Sequence, residues 1–156
     1  WARTYDLKYI ILRPTNNYGI GQYPEKLIPL TVKLLMRGKK IKLHDKGEPI
    51  RNWLHSADTA TAVTTLIDTE MNHGIYNVAG GFEQKNIDTV FKVLECYFGE
   101  KRDWNEYLDL SYVREGQDVR YALNDDKLRS LGWKPQKIFG HEIKQIVEHY
   151  KHHFKW

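Results

Sequence analysis

Apolar positions along the chain fall into two rhythms, unbroken or alternating short runs and a 3.6-residue recurrence, and their order predicts strands alternating with helices. Lys8 to Arg13 reads as a strand, because Tyr9-Ile10-Ile11-Leu12 is β-branched and aromatic and Pro14 halts it. Such an unbroken run suits a strand covered on both faces, as in a parallel sheet. Glu25 to Arg37 has helical spacing through Leu27, Ile28, Leu34 and Leu35, with Pro29 in the first turns and Gly38 as a stop. Ile41 to His44 makes a short strand, and Lys46-Gly47-Glu48 a turn before the segment Ile50 to Leu54. A helix from Ser56 or Asp58 to about Thr69 places Ala62, Val63, Leu66 and Ile67 on its buried face. Asp58 falls in its first turn, where the helix dipole favours a carboxylate.

Gly74 to Ala79 predicts another strand, closed by Gly80-Gly81, and Asn86 to Phe98 a helix with Ile87, Val90, Phe91 and Leu94 inward, ended by Gly99. Val119 to Leu123 alternates like a strand, and Asn124 suits the N-cap of a short helix Asp125 to Leu131, terminated by Gly132-Trp133-Lys134-Pro135. A last amphipathic helix, about Phe139 to Phe154, puts Ile143, Ile146, Val147 and Tyr150 on one stripe. The opening residues, Trp1-Ala2-Arg3-Thr4-Tyr5, read as the end of a helix whose beginning is missing, so a fragment of a longer protein is expected.

Composition narrows the class. The chain has 156 residues, 41% of them apolar, and 24 basic against 20 acidic side chains give a net charge of +4. That is a globular composition, and a chain of this length needs no disulfide or metal to acquire a core. A single cysteine, Cys96, cannot build a disulfide framework and points to the cytoplasm as the default compartment. No apolar run approaches the roughly 18 residues of a membrane span. The isoelectric point of about 9.0 invites a nucleic-acid partner. However, the charges are interspersed, and Arg37, Lys39, Lys40 and Lys42 read as a solvated helix end rather than a phosphate patch, so neither nucleic acid nor membrane is expected as a partner.

Most catalytic motifs are missing from these residues. Gly19-Ile20-Gly21 lacks a third glycine and follows a strand already stopped by proline, so it reads as a loop and not as a dinucleotide fingerprint. Tyr97 and Lys101 have the spacing of a phenolate base with its lysine, but Gly99 between them breaks the helix face. His149 and His153 could chelate a metal at i,i+4 but have no evident third ligand, and Cys96 sits among Leu94, Tyr97 and Phe98 as a small buried thiol would. The polar candidates are Asn16, Asn17 and Tyr18, at the strand edge where open α/β sheets bind ligands. Asparagine there can both donate to and accept from a sugar or a cofactor amide, or simply form the turn.

A longer pattern carries a resemblance. Arg13-Pro14-Thr15-Asn16-Asn17-Tyr18-Gly19 with Gln22-Tyr23-Pro24-Glu25-Lys26-Leu27-Ile28-Pro29 closely resembles a segment of the dTDP-glucose 4,6-dehydratases, in the extended short-chain dehydrogenase/reductase superfamily. The resemblance continues in family order through Gly47-Glu48-Pro49-Ile50-Arg51-Asn52-Trp53-Leu54 with Asp58, and Tyr76-Asn77-Val78-Ala79-Gly80-Gly81. Lys85-Asn86-Ile87-Asp88, Arg114-Glu115-Gly116-Gln117-Asp118 with Arg120-Tyr121-Ala122, and Leu131-Gly132-Trp133-Lys134-Pro135 complete it. It implies the last strands of a Rossmann-type parallel sheet joined to a small α/β substrate-binding domain. It also implies that a preceding NAD-binding half carries the glycine-rich loop, the Tyr-x-x-x-Lys base and the acid/base pair, so no catalytic residue is expected in this chain. A sheet without its first strands would expose an edge.

By the same resemblance, Asn17 corresponds to a nicotinamide-side contact with NAD. Asn16, Lys26, Leu27, Leu43, His44, Arg51, Asn77, Arg114 and Gln117 correspond to contacts with a nucleotide sugar, dTDP-glucose, in a homodimeric parent. Arg51 suits a diphosphate because its guanidinium makes charge-assisted, forked bonds to phosphate oxygens; an ion pair within the domain is its alternative role. The sequence departs from the family pattern at His44, where an aromatic usually stacks on the base, at Gln117, where histidine is common, and at Asn52, where aspartate is usual. Imidazole still stacks and glutamine still hydrogen-bonds. Beside the dehydratase stand two alternatives: a UDP-sugar epimerase or decarboxylase of the same superfamily, and a non-catalytic nucleotide-sugar-binding module.

Overall fold

A computed structural model describes residues 1–69, 73–116 and 118–154. A single-turn helix α1 (Ala2–Tyr5) precedes β1 (Tyr9–Pro14), and after Thr15 the extended chain resumes as β2 (Asn16–Tyr18). Then come α2 (Leu27–Met36), β3 (Ile41–His44), β4 (Ile50–His55), α3 (Ser56–Asp68), β5 (His73–Val78), β6 (Phe82–Lys85) and α4 (Asn86–Phe98). β7 (Leu108–Tyr112), β8 (Arg120–Tyr121), α5 (Asp126–Arg129) and α6 (Phe139–His153) complete the described elements. The α/β class expected from the sequence is the one observed, and among the described residues four of the five strand pairings are parallel: β1 with β5, β2 with β4, β3 with β7 and β8 with β4. β6 runs antiparallel to β4.

β4 is the pivot of the molecule. It pairs with β6 along one edge, while β2 and β8 take successive stretches of the other. Successive side chains of a strand point to opposite faces. Trp53 accordingly enters a core with Tyr18, Ile28, Val32, Val93 and the α6 stripe, whereas Leu54 enters one with Ala62, Leu66, Tyr76, Val78 and Leu128. A third core, Ile41, Leu43, Val90, Leu94, Trp104 and Leu108, fills the space between α4 and the β3–β7 pair.

The strand covered on both faces is therefore β4 and not β1. In β1 Ile10 and Leu12 pack against a core, while Tyr9 and Ile11 are 46% and 43% exposed. Similarly, α3 buries Asp58, Ala62 and Leu66 but leaves Val63 and Ile67 in solvent, so its buried stripe is narrower than the apolar pattern suggested. The strand expected over Val119 to Leu123 is reduced to β8, and the short helix begins one residue late because Asp125 turns inward to the Ala79 amide at 3.3 Å. Its N-cap is Asp125 and not the expected Asn124, which stands one residue earlier and accepts from the Asp126 amide through Oδ1 at 3.0 Å. By contrast, α4 matches its expected bounds and closes on Gly99 in the left-handed region, and Ile143, Ile146, Val147 and Tyr150 of α6 are all buried as their spacing required.

Candidate functional site

The site begins where β1 passes into β2. The buried Thr15 Oγ1 donates to Asn52 Oδ1 at 3.1 Å, and the Gly80 amide donates to the same oxygen at 2.9 Å. Asn52 of β4 thereby fastens the β1–β2 junction and the turn after β5 to one point. The turn must be glycine: a Cβ at Gly80 would lie 1.7 Å from the Trp53 carbonyl oxygen.

Asn16 and Asn17 extend from this junction, opposite Trp53 and Leu54 in the β2–β4 register. Asn17 is largely spent on the fold. Its Nδ2 donates to the Thr15 carbonyl at 3.1 Å, its Oδ1 accepts from Thr59 at 2.6 Å, and its carbonyl accepts from Gln22 at 2.7 Å. A second Nδ2 hydrogen remains for a ligand. A niche of about 160 Å³ bounded by Asn17, Gly19, Gln22 and Ser56 adjoins it.

At the other end of β4, Arg51 donates through Nη1 to the carbonyl oxygens of Ile50 at 2.8 Å and Asp118 at 3.0 Å. Its partners are carbonyls and not a carboxylate, so among the described residues the domain-internal ion pair weighed from the sequence is not formed. The remaining guanidinium donors keep their geometry for an anion. Nearby, Arg114, Gly116 and Val119 face Asp45, Glu48 and Pro49 across a groove of about 250 Å³. Its floor turn, Asp45–Gly47, holds three successive residues at positive φ. Gly47 is obligatory there, since a Cβ would meet Ile87 Cβ at 2.7 Å.

His44 is exposed at the end of β3, its ring set edge-on to Tyr112 at 5.7 Å. Lys42 Nζ donates to the Tyr112 hydroxyl at 3.0 Å, and this bond raises the lysine pKa. Tyr112 thus stands beside His44, a neighbour that the sequence does not single out; its position ending β7, beside β3, is a matter of strand pairing that no local pattern encodes. The other candidates are placed differently. Leu43 is 2% exposed and belongs to the third core, so its side chain presents no surface to a ligand, and Leu27 packs between the first and third cores. Lys26 is exposed beside Glu25 at 3.7 Å, before α2. Asn77 donates to the Asn124 carbonyl at 2.9 Å. Among the described residues no hydrogen bond or ion pair joins Asn16, Lys26 or Asn77 to Arg51 or Arg114. Gln117 lies outside the described residues.

The motifs set aside in the sequence have structural roles. α4 ends at Phe98, Lys101 sits 4.0 Å from Glu95, and Lys151 covers the Tyr97 ring, so no tyrosine–lysine dyad forms. Burial pushes the Cys96 thiol up, away from a reactive thiolate. The His149 and His153 rings lie 5.2 Å apart, and among the described residues no group of three metal-ligating side chains assembles. None of the described helices is long and apolar enough to cross a membrane.

The chain that carries these residues has relatives. A sequence model of the NAD dependent epimerase/dehydratase family matches residues 1–79. The chain belongs to that family. Across 160 aligned residues it is 39% identical to dTDP-glucose 4,6-dehydratase of Escherichia coli, using 100% of this chain and 44% of that enzyme. The crystal structure of dTDP-glucose 4,6-dehydratase from Bacillus anthracis in complex with NAD matches with a TM-score of 0.84 at 33% identity, over 99% of this chain and 48% of that one. UDP-glucose 4-epimerase from Thermus thermophilus, in complex with NAD, matches with a TM-score of 0.82 at 24% identity, over 97% and 49%, a likeness of fold alone. The fold of this family member is thus of the Rossmann-type short-chain dehydrogenase/reductase kind, and the chain spans less than half the length of these relatives.

Proposed function

We propose that this chain is the nucleotide-sugar-binding portion of a dTDP-glucose 4,6-dehydratase. The parent converts dTDP-glucose to the 4-keto-6-deoxy sugar as a cytoplasmic homodimer. The observation that carries the reading is Arg51, whose guanidinium is fixed through one nitrogen on two carbonyls while its other donors stay available beside a groove walled by Arg114. A guanidinium at the groove wall and a second held on the neighbouring strand suit a diphosphate, and the exposed imidazole of His44 offers a ring to a base.

NAD, when bound by the parent, would supply the hydride-transfer chemistry of the reaction. This chain's share is to hold the substrate and, through Asn17, to touch the nicotinamide side. The glycine-rich loop, the base and the acid are provided by an NAD-binding half that precedes these residues, and the chain by itself is inactive. The dehydratase reading is favoured over the epimerase by identities of 39% and 33% against 24%. Product analysis of the intact parent tests it: dTDP-glucose should yield the 4-keto-6-deoxy sugar, whereas interconversion of UDP-glucose and UDP-galactose would assign the epimerase. Turnover of neither, with nucleotide-sugar binding retained, would assign a binding module.

A further inference from the structure

Arg51 is aimed by a segment that is itself held from outside the groove. Its Nη1 bond to Asp118 fixes the guanidinium only as firmly as Asp118 is fixed. The stretch from Asp118 to Tyr121 is a sparse one: β8 has two residues, both exposed, and Val119 is 78% exposed. Apolar burial therefore does little to place it. What fastens it is polar. The Ile50 amide donates to the Val119 carbonyl at 2.8 Å, and Arg120 makes a forked pair with Glu83, Nε to Oε2 at 2.9 Å and Nη2 to Oε1 at 3.1 Å.

Glu83 is not an arbitrary surface acid. It stands directly opposite Asn52 in the β4–β6 ladder, and Asn52 is the buried amide whose oxygen already holds Thr15 and Gly80. The Arg120 guanidinium holds the Glu83 carboxyl below its ordinary pKa, and the neighbouring Asn52 amide adds to this. The Glu83–Arg120 pair thus links the β4–β6 ladder, at the register position of Asn52, to the segment whose Asp118 carbonyl holds Arg51.

We propose that Glu83 and Arg120 are positioning residues for Arg51: their forked ion pair fixes the Asp118–Arg120 backbone, whose carbonyl aims the guanidinium at the anion. The assignment rests on the reading of Arg51 as a diphosphate ligand. An exposed ion pair adds little to stability, so the consequence of this one is geometric.

Glu83→Gln keeps the shape of the side chain and removes the charge. Three readouts in the protein as it stands separate the possibilities. First, backbone amides of residues 118–121 should exchange at least about fivefold faster in Glu83→Gln, with the melting temperature moved by less than about 2 °C. Unchanged exchange, or a global loss of stability, overturns the clasp. Second, dTDP should bind about fivefold more weakly to Glu83→Gln, and the exchanged pair Glu83→Arg with Arg120→Glu should recover most of that loss. Third, Glu83→Gln should have no further effect on dTDP affinity once Arg51→Ala is present; an equal loss in both backgrounds overturns the claim that Glu83 acts through Arg51. If the exchange result holds while the unaltered protein binds no dTDP, the clasp stands and the nucleotide reading of Arg51 fails.

Discussion

Asp58 reaches from the first turn of α3 to the Gln136 amide at 2.9 Å with Oδ1, and to the Lys137 amide at 3.0 Å with Oδ2. A carboxylate 2% exposed thus ties α3 to the segment that launches α6, bridging two of the cores. Two backbone donors bound to a charged acceptor are each worth about 1.5–3 kcal/mol. Asp58→Asn, which must turn a donor toward one of those amides, is therefore expected to cost about 2–4 kcal/mol in urea unfolding. A loss under about 0.5 kcal/mol would mean that the dipole of α3 alone explains the residue.

Gly80 offers a sharper test of the β4 pivot. Its would-be Cβ overlaps the Trp53 carbonyl, so alanine must push the β5–β6 turn off β4 and break the bond to Asn52. Gly80→Ala should destabilise by at least about 3 kcal/mol, while the same change at Gly140, which has open space around it, should stay within about 0.5 kcal/mol.

Burial lowers the pKa of His55, the nearby Lys137 adds to this, and Glu142 and Asp58 oppose it. The neutral ring is what the fold uses, since Nδ1 accepts from the Ala57 amide at 3.1 Å to cap α3. The unfolded chain binds this proton near pH 6.5, more readily than the folded one, so the contribution is complete above that pH and is lost as pH falls toward the folded value. His55→Asn keeps a capping acceptor without a titration. The urea midpoint of that variant should fall less between pH 7.5 and 5.5 than that of the unaltered protein; equal falls would remove His55 from the account.

Tyr150 of α6 donates to the loop after β2, its hydroxyl lying 3.2 Å from the Gly19 carbonyl and 3.3 Å from that of Gln22. One hydrogen serves both acceptors, so Tyr150→Phe should cost about 1–1.5 kcal/mol and increase amide exchange around residues 19–22. A change confined to α6 would show that the loop is held by other contacts.

How far these features were legible in the sequence follows the range of the force behind them. α4 and α6 declare themselves because a 3.6-residue apolar rhythm is local, and the α6 stripe is buried residue for residue. β6, Phe-Glu-Gln-Lys, has no apolar alternation to betray it; it is a strand because β4 offers it an edge. For the same reason the apolar run of β1 reads locally as a doubly covered strand, whereas cover depends on what lies above it. In the site, the family pattern marked Arg51 and Arg114. The roles of Thr15, Glu83, Arg120 and Tyr112 arise from contacts spanning 37 to 70 residues, which spacing cannot reveal.

The central claim is that Arg51 belongs to a preformed site for a nucleotide diphosphate. Calorimetric titration of this chain with dTDP, UDP and their glucose conjugates, repeated with Arg51→Ala, addresses it directly. The account predicts saturable dTDP binding that weakens by about 1.5–3 kcal/mol when the charge-assisted contact is lost. Equal affinity in Arg51→Ala, or no binding by a folded chain, would contradict it.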